Sequence, residues 1–109
     1  MKMIAIWLII TISSIISPPQ PEPCQLYGSV YIESSKTYAD YTVFEEESEA
    51  FADVLIYQQE NELFADDQGL WYITNDRSFA DFSIYFTTKK NQADFSIHYI
   101  DNESFAGCN

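Results

Sequence analysis

Five aspartates recur at near-regular intervals, Asp40, Asp53, Asp66, Asp81 and Asp94, each preceded by an alanine. Evenly spaced carboxylates offer the hard oxygen ligands that calcium takes, so a ladder of metal sites is the first chemistry to weigh. Calcium-binding β-rolls also need glycines to bring main-chain carbonyls to the ion, and this chain has 3 glycines in 109 residues. The structural reading is therefore favoured: each Asp caps a turn by accepting main-chain N–H bonds where a strand begins. The five are weak metal candidates, and no cofactor is expected. His98 is the only histidine, with no nucleophile or second ligand beside it to make a triad or a metal cluster. Ser83 and Ser96 lack a Gly-x-Ser-x-Gly elbow and read as polar partners on a solvated face. No catalytic residue emerges, and the chain is not expected to be an enzyme.

The elements that carry these residues are set by a repeat. Ala-Asp occurs at Ala39, Ala52, Ala65, Ala80 and Ala93, and a degraded copy follows at Ala106-Gly107, with spacings of 13, 13, 15, 13 and 13. An aromatic residue precedes the alanine in five copies, Tyr38, Phe51, Phe64, Phe79 and Phe105, with Gln92 the exception. After each Ala-Asp the apolar residues alternate with polar ones, as in Phe82, Ile84 and Phe86, or Phe95, Ile97 and Tyr99. A period of two with β-branched and aromatic enrichment predicts strands. Polar stretches such as Glu45–Glu49 and Lys89–Gln92 predict turns. The predicted repeat core comprises the alanines Ala39, Ala52, Ala65, Ala80, Ala93 and Ala106, the rings Phe51, Phe64, Phe79 and Phe105, and Val43, Ile56, Trp71, Ile84 and Ile97. The third unit carries a two-residue insertion, Asp67-Gln68, read as a bulge or wider loop. Allowing for it, Gly69 falls where other units hold Phe82 and Phe95, and Trp71 where they hold Ile84 and Ile97. The indole is expected to fill the volume that Gly69 vacates.

Composition bounds the class. Five basic against 17 acidic residues give a net charge of -12, which opposes nucleic acid and anionic lipid as partners. A hydrophobic content of 47% argues for a packed domain. Residues 1–23 read as a leader: Lys2, then an apolar run from Ile4 to Ile16 too short for a comfortable membrane span. This predicts a secreted, periplasmic or cell-surface protein with no membrane association beyond the leader. Pro18 after Ser17 makes a poor cleavage site, and Pro21-Glu22-Pro23 before Cys24 lacks the small residues of a lipobox, so a lipid anchor is not favoured. The mature domain is residues 24–109. Its two cysteines, Cys24 and Cys108, read as a disulfide in an exported chain, the alternative being two unrelated thiols. A domain this small tolerates few open strand edges, so the repeats are expected to close on themselves or to dimerise through an edge.

Two surfaces could bind. Tyr57, Tyr72, Tyr85 and His98 occupy one slot of the repeat on the outward side, a row able to stack on a glycan or a protein. Cross-strand packing within the fold explains the same row. The acidic residues Glu45, Glu46, Glu47, Glu49, Glu60 and Glu62 could attract a basic partner, although such runs are commonly solubility devices.

The repeated aromatic-Ala-Asp followed by Phe-Ser-Ile-Tyr or Val-Leu-Ile-Tyr, with Tyr27-Gly28-Ser29-Val30-Tyr31 at the start and Ser104-Phe105-Ala106-Gly107-Cys108 at the end, resembles the septoil knot domain family. The resemblance spans Gln25 to Asn109. It implies an all-β fold of tandem repeats of about 13 residues, wound into a compact, closed and knotted structure. It implies no established biochemical activity. From the residues alone a solenoid or closed ring would be the expectation, since threading is rare in proteins. The functional expectation is an exported structural or interaction module, the alternative being a binder of an extracellular glycan, calcium or a basic protein.

Overall fold

A five-residue alternating segment has three inward positions, first, third and fifth, and two outward ones. The computed structural model describes residues 22–109 and gives every repeat one such strand, shortened in the third unit, where Gly69 holds the first position and pairing starts at the second, so that positions there are counted from Gly69. The strands are β1 Gly28–Ile32, β2 Tyr41–Glu45, β3 Val54–Gln58, β4 Leu70–Ile73, β5 Phe82–Phe86 and β6 Phe95–Tyr99, with a two-residue β7 at Gly107–Cys108. Between them run single 3-10 turns at Lys36–Tyr38, Glu49–Phe51, Glu62–Phe64, Arg77–Phe79, Lys90–Gln92 and Glu103–Phe105. Each turn closes when the alanine N–H reaches back three residues, as from Ala39 to the Lys36 carbonyl. Ser35, Asn61, Asp76 and Asn102 cap four turns by accepting the N–H two residues on, which is why short polar side chains stand there. The hydroxyl and amide of Ser78 hold the Asp76 carboxyl below its usual range.

The strands close into a six-stranded parallel barrel in the spatial order β1, β5, β2, β6, β3, β4 and back to β1, with β7 antiparallel beside the first half of β3. Closure removes the edges that a domain of this size could not leave open. At each joint the register steps by two residues, with Val30 opposite Phe82, Tyr41 opposite Ile84, Val43 opposite Phe95, Val54 opposite Ile97, Tyr57 opposite Leu70 and Gly28 opposite Trp71. Six steps of two give a total stagger of twelve. With ~3.3 Å per residue and ~4.8 Å between strands this tilts the strands about 54° from the axis, steeper than in most barrels.

The chain makes two laps. Successive strands skip one place: β1 to β2 passes β5, β2 to β3 passes β6, β4 to β5 passes β1, and β5 to β6 passes β2. Were every connection to advance two places on a six-place ring, the fourth strand would land on the first. The step from β3 to β4 advances one place only, so the second lap fills the gaps left by the first. That step coincides with the two-residue insertion. Asp67-Gln68 forms a turn, with the Leu70 N–H on the Asp67 carbonyl at 3.0 Å and the Gln68 N–H on the Asp67 Oδ1 at 2.7 Å.

The third position of each strand fills the axis. Val30, Val43, Ile56, Trp71, Ile84 and Ile97 are all 0% exposed, as expected of Val43, Ile56, Trp71, Ile84 and Ile97 from the alternation. Phe82 and Phe95 close one end, with Tyr41 edge-on to both at 5.9 and 5.6 Å and Phe82 edge-on to Trp71 at 5.4 Å. The Trp71 indole donates to the Leu26 carbonyl at 3.1 Å. The space at Gly69 is taken by main chain rather than by the indole: its φ is +79°, and a Cβ there would overlap the Gly107 nitrogen. Cys24 and Cys108 form the expected disulfide, so the Cys24 thiol is not free for a lipid.

One core expectation is corrected. Phe51, Phe64, Phe79 and Phe105 are 68, 59, 69 and 65% exposed, and Tyr38 is 67% exposed. Each is the last residue of a 3-10 turn, where successive side chains point about 120° apart, so the following alanine turns inward and the ring turns out. The barrel interior is already filled by the third-position side chains together with Val54, Phe82 and Phe95, with Tyr41 packed against them, which leaves the turn-end rings outside it. Ala52 and Ala65 are buried, and Ala39, Ala80, Ala93 and Ala106 are half-buried beneath their turns.

Candidate functional site

The aspartates act across strands. Asp81 donates its N–H to the Ser29 carbonyl at 2.7 Å, and its Oδ2 accepts the Ser29 N–H at 2.8 Å. Asp40 does the same with Ser83 at 3.0 and 2.9 Å, Asp94 with Thr42 at 2.7 and 2.7 Å, and Asp53 with Ser96 at 3.1 and 2.9 Å. Each carboxylate stands in for a main-chain carbonyl and extends the ladder one rung beyond the strand. The partners lie 43 or 52 residues away, so local turn capping, the expectation for these aspartates, is replaced by a long-range clasp. Ser83 and Ser96, expected on a solvated face, are buried, and their hydroxyls lie within 3.4 and 3.2 Å of the clasping carboxylates. A small polar residue fits there because the Asp presses on it. A Cβ at the preceding Gly28 (φ +116°) would overlap the Asp81 Oδ2, which accounts for that glycine. At the two joints without a clasp the second strand position holds Leu55 and Leu70. Asp66 is exposed and makes no such bond, because Gly107 of β7 stands opposite Leu55. No three acidic, histidine or cysteine side chains among the described residues come together where a metal ion could sit.

Tyr57, Tyr72, Tyr85 and His98 do occupy the outward fourth position, and all four are half-buried. The His98 Nδ1 lies 2.9 Å from the Glu46 carbonyl. Tyr99, at the fifth position of β6, is pushed up to about 12 by burial and by the nearby Glu45 carboxylate.

The exposed rings belong to a second repeated arrangement. Neighbouring connections meet around the barrel at joints where the first residue of one turn approaches the last residue of the next and the residue just after that turn's preceding strand. At one joint Arg77 pairs with Glu33 at 2.6 Å and lies 5.6 Å from the Tyr38 ring and 5.5 Å from Tyr31. The Glu33 side chain is 3% exposed, so Arg77 offsets a buried charge. At a second joint Lys90 pairs with Glu46 at 2.5 Å and lies 6.0 Å from the Phe51 ring. At a third, beside Phe64, the place of the cation is taken by Glu103, which accepts a bond from the Gln59 amide at 2.8 Å. At a fourth, Glu49 stands in the place of the cation and Ile100 in that of the acid, and with Phe105 they line a cavity of about 680 Å³, together with His98, Tyr99, Asp101 and Asn102. Elsewhere the turn Lys36–Tyr38 lies against β5 and the turn Glu62–Phe64 against β4. Of these residues the sequence singles out Glu46, Glu49 and the rings, and assigns no pairing to Glu33, Arg77, Lys90 or Glu103. The available signal was a constant separation of 44 residues, shared by Glu33–Arg77, Glu46–Lys90 and Gln59–Glu103.

The family model for the 7(1) septoil knot domain matches residues 23–109. Comparison with curated proteins and with solved structures gives no match.

Proposed function

The chain belongs to the septoil knot domain family, and from that premise we propose that it is an exported interaction module rather than an enzyme, a disulfide-closed barrel that holds a ring of side chains out to a protein partner. One observation carries this reading: five of the six turns end in a large ring, Tyr38, Phe51, Phe64, Phe79 or Phe105, that is more exposed than buried. Large apolar groups held in water at the same place in successive repeats do nothing for the core and invite association. The stabilising work lies elsewhere, in the third-position residues, the clasps and the disulfide. The binding surface moves outward from Tyr57, Tyr72, Tyr85 and His98, which are half-buried, to the exposed turn ends. Export is supported by the Cys24–Cys108 bridge and by the apolar run within residues 1–23, of which residues 1–21 lie outside the described residues. No helix among the described residues is long and apolar enough to cross a membrane.

The test places a photo-crosslinking phenylalanine analogue at Phe64, Phe79, Phe105 or Tyr72 in the exported protein on its producing cells. Crosslinks to one protein from the three turn positions, and none from Tyr72, support the reading; a crosslinked second copy of this chain would identify the partner as itself. No crosslink from any turn position overturns it. A companion variant with Phe51, Phe64, Phe79 and Phe105 all changed to serine is expected to unfold within about 0.5 kcal/mol per site of the parent. A loss of several kcal/mol would assign the rings to the fold and end the argument.

A further inference from the structure

We propose that the cavity between the turns Glu49–Phe51 and Glu103–Phe105 is a receptor for a lysine or arginine side chain of a basic protein partner, a deepening that rests on the interaction-module reading. The barrel supplies its own templates. At two equivalent joints a cation from the neighbouring turn, Arg77 or Lys90, sits beside a carboxylate and against a ring. At the Phe105 joint the ring is present and 65% exposed, but the position that supplies the cation elsewhere is Glu49. That exchange inverts the joint: a site that would be filled from within instead presents two carboxylates, Glu49 and Asp101, beside an open ring. The titratable groups lining it are Glu49, Asp101, His98 and Tyr99, so no lysine or arginine of the described chain lines it.

Its walls are held in place. The Asn109 amide donates to the Glu49 and Ala52 carbonyls at 2.9 and 2.8 Å, which fixes the turn carrying Glu49. The Asn102 Oδ1 accepts from the Ser104 N–H and hydroxyl at 3.0 and 2.7 Å, which fixes the turn carrying Phe105. The His98 ring is tied to the Glu46 carbonyl. At the Phe64 joint, by contrast, the carboxylate of Glu103 is already engaged by Gln59. The cavity, at about 680 Å³, is larger than those of about 440, 300 and 220 Å³ described elsewhere on the barrel. Cation–ring attraction beside a carboxylate is the interaction the two templates already make. The net charge of -12 brings basic partners toward the surface.

The experiment is an NMR titration of the full-length exported protein with an acetylated hexalysine peptide at physiological salt, following the Phe105 and His98 ring signals. Saturable shifts of these two rings are expected. Glu49→Lys fills the joint from within and is expected to weaken binding at least about tenfold. Glu62→Lys makes the same charge change at the first residue of another turn, Glu62–Phe64, where it is exposed, and is expected to weaken binding less than about threefold, through general charge alone. Phe105→Ser, which leaves every charge in place, is expected to weaken binding roughly fivefold. Equal weakening by Glu49→Lys and Glu62→Lys overturns the receptor and leaves only diffuse acidic attraction, with the module reading intact. Absence of shifts at Phe105 and His98 overturns it as well, whereas only the crosslinking result bears on the module reading. Amide spectra of each variant that match the parent show that the fold is retained.

Discussion

Asp53 and Asp66 stand at the same place in the repeat, and the structure gives them opposite roles. The Asp53 Oδ2 accepts the buried Ser96 N–H at 2.9 Å and lies 3.2 Å from the Ser96 hydroxyl, and Ser96 is 2% exposed. Asp53→Ala removes a charge-assisted acceptor and leaves a buried main-chain donor unpaired. A lost bond to a charged group and an orphaned donor overlap as contributions, and together they amount to about 2–3 kcal/mol. Asp53→Asn keeps a neutral acceptor at the same reach, so about 1 kcal/mol is expected. Asp66 is exposed and clasps nothing, so Asp66→Ala is expected within about 0.5 kcal/mol of the parent. The assay is urea unfolding with the disulfide intact, comparing midpoints at constant slope. In a domain of this size the Asp53→Ala loss corresponds to a fall in Tm of roughly 10–20 °C. Equal effects of Asp53→Ala and Asp66→Ala, or a neutral Asp53→Ala, would refute the clasp as the purpose of the repeated aspartate.

Burial and the nearby Glu45 carboxylate push the Tyr99 phenol up to about 12 from an ordinary value of 10.0, so the unfolded chain loses this proton first. Its contribution of about 2–3 kcal/mol is fully present below pH 10 and is lost as pH rises from 10 to about 12, and Tyr99→Phe is expected to flatten stability over that window. Reducing the bridge between Cys24 and Cys108, 84 residues apart, is expected to remove up to about 4.5 kcal/mol, read as the shift in urea midpoint with and without reductant. Every clasp joins residues 43 or 52 apart, and the second lap must enter gaps left by the first, so refolding from urea with the bridge reduced is expected to take on the order of a second or longer. A millisecond phase that recovers all of the signal would contradict the interleaved winding.

Much of this architecture was legible because its repeat is strict. Alternation after each Ala-Asp located five of the six barrel strands, β1 having no Ala-Asp before it, the slot of Ile84 and Ile97 located Trp71 on the axis, and the scarcity of tolerable edges pointed to closure. The order of strands was not legible, since near-identical units do not declare their neighbours. The one mark of it was the spacing of 15 where all others are 13, and that mark became meaningful only once the single-place step from β3 to β4 was seen. The exposed rings were misplaced because a regularly spaced aromatic residue is ordinarily core, and only the geometry of a one-turn 3-10 segment sends Phe79 out while Ala80 turns in. The clasps had a readable trace: Ser29, Thr42, Ser83 and Ser96 occupy the second strand position where an Asp arrives, and Leu55 and Leu70 occupy it where none does. Pairing each Ser or Thr with its Asp still required the two laps, which bring together residues from opposite halves of the chain.

The bridge at the seam also governs how the molecule bears load. Because Cys24 and Cys108 are joined, tension applied between the segment before one and the segment after the other passes straight through two sulfur atoms. The barrel hangs outside that line as a slack loop, and its hydrogen bonds carry none of the pull. A domain tethered at one end and tugged at the other would keep its shape until a covalent link failed, or until a reductant cut it and handed the strain to the sheet.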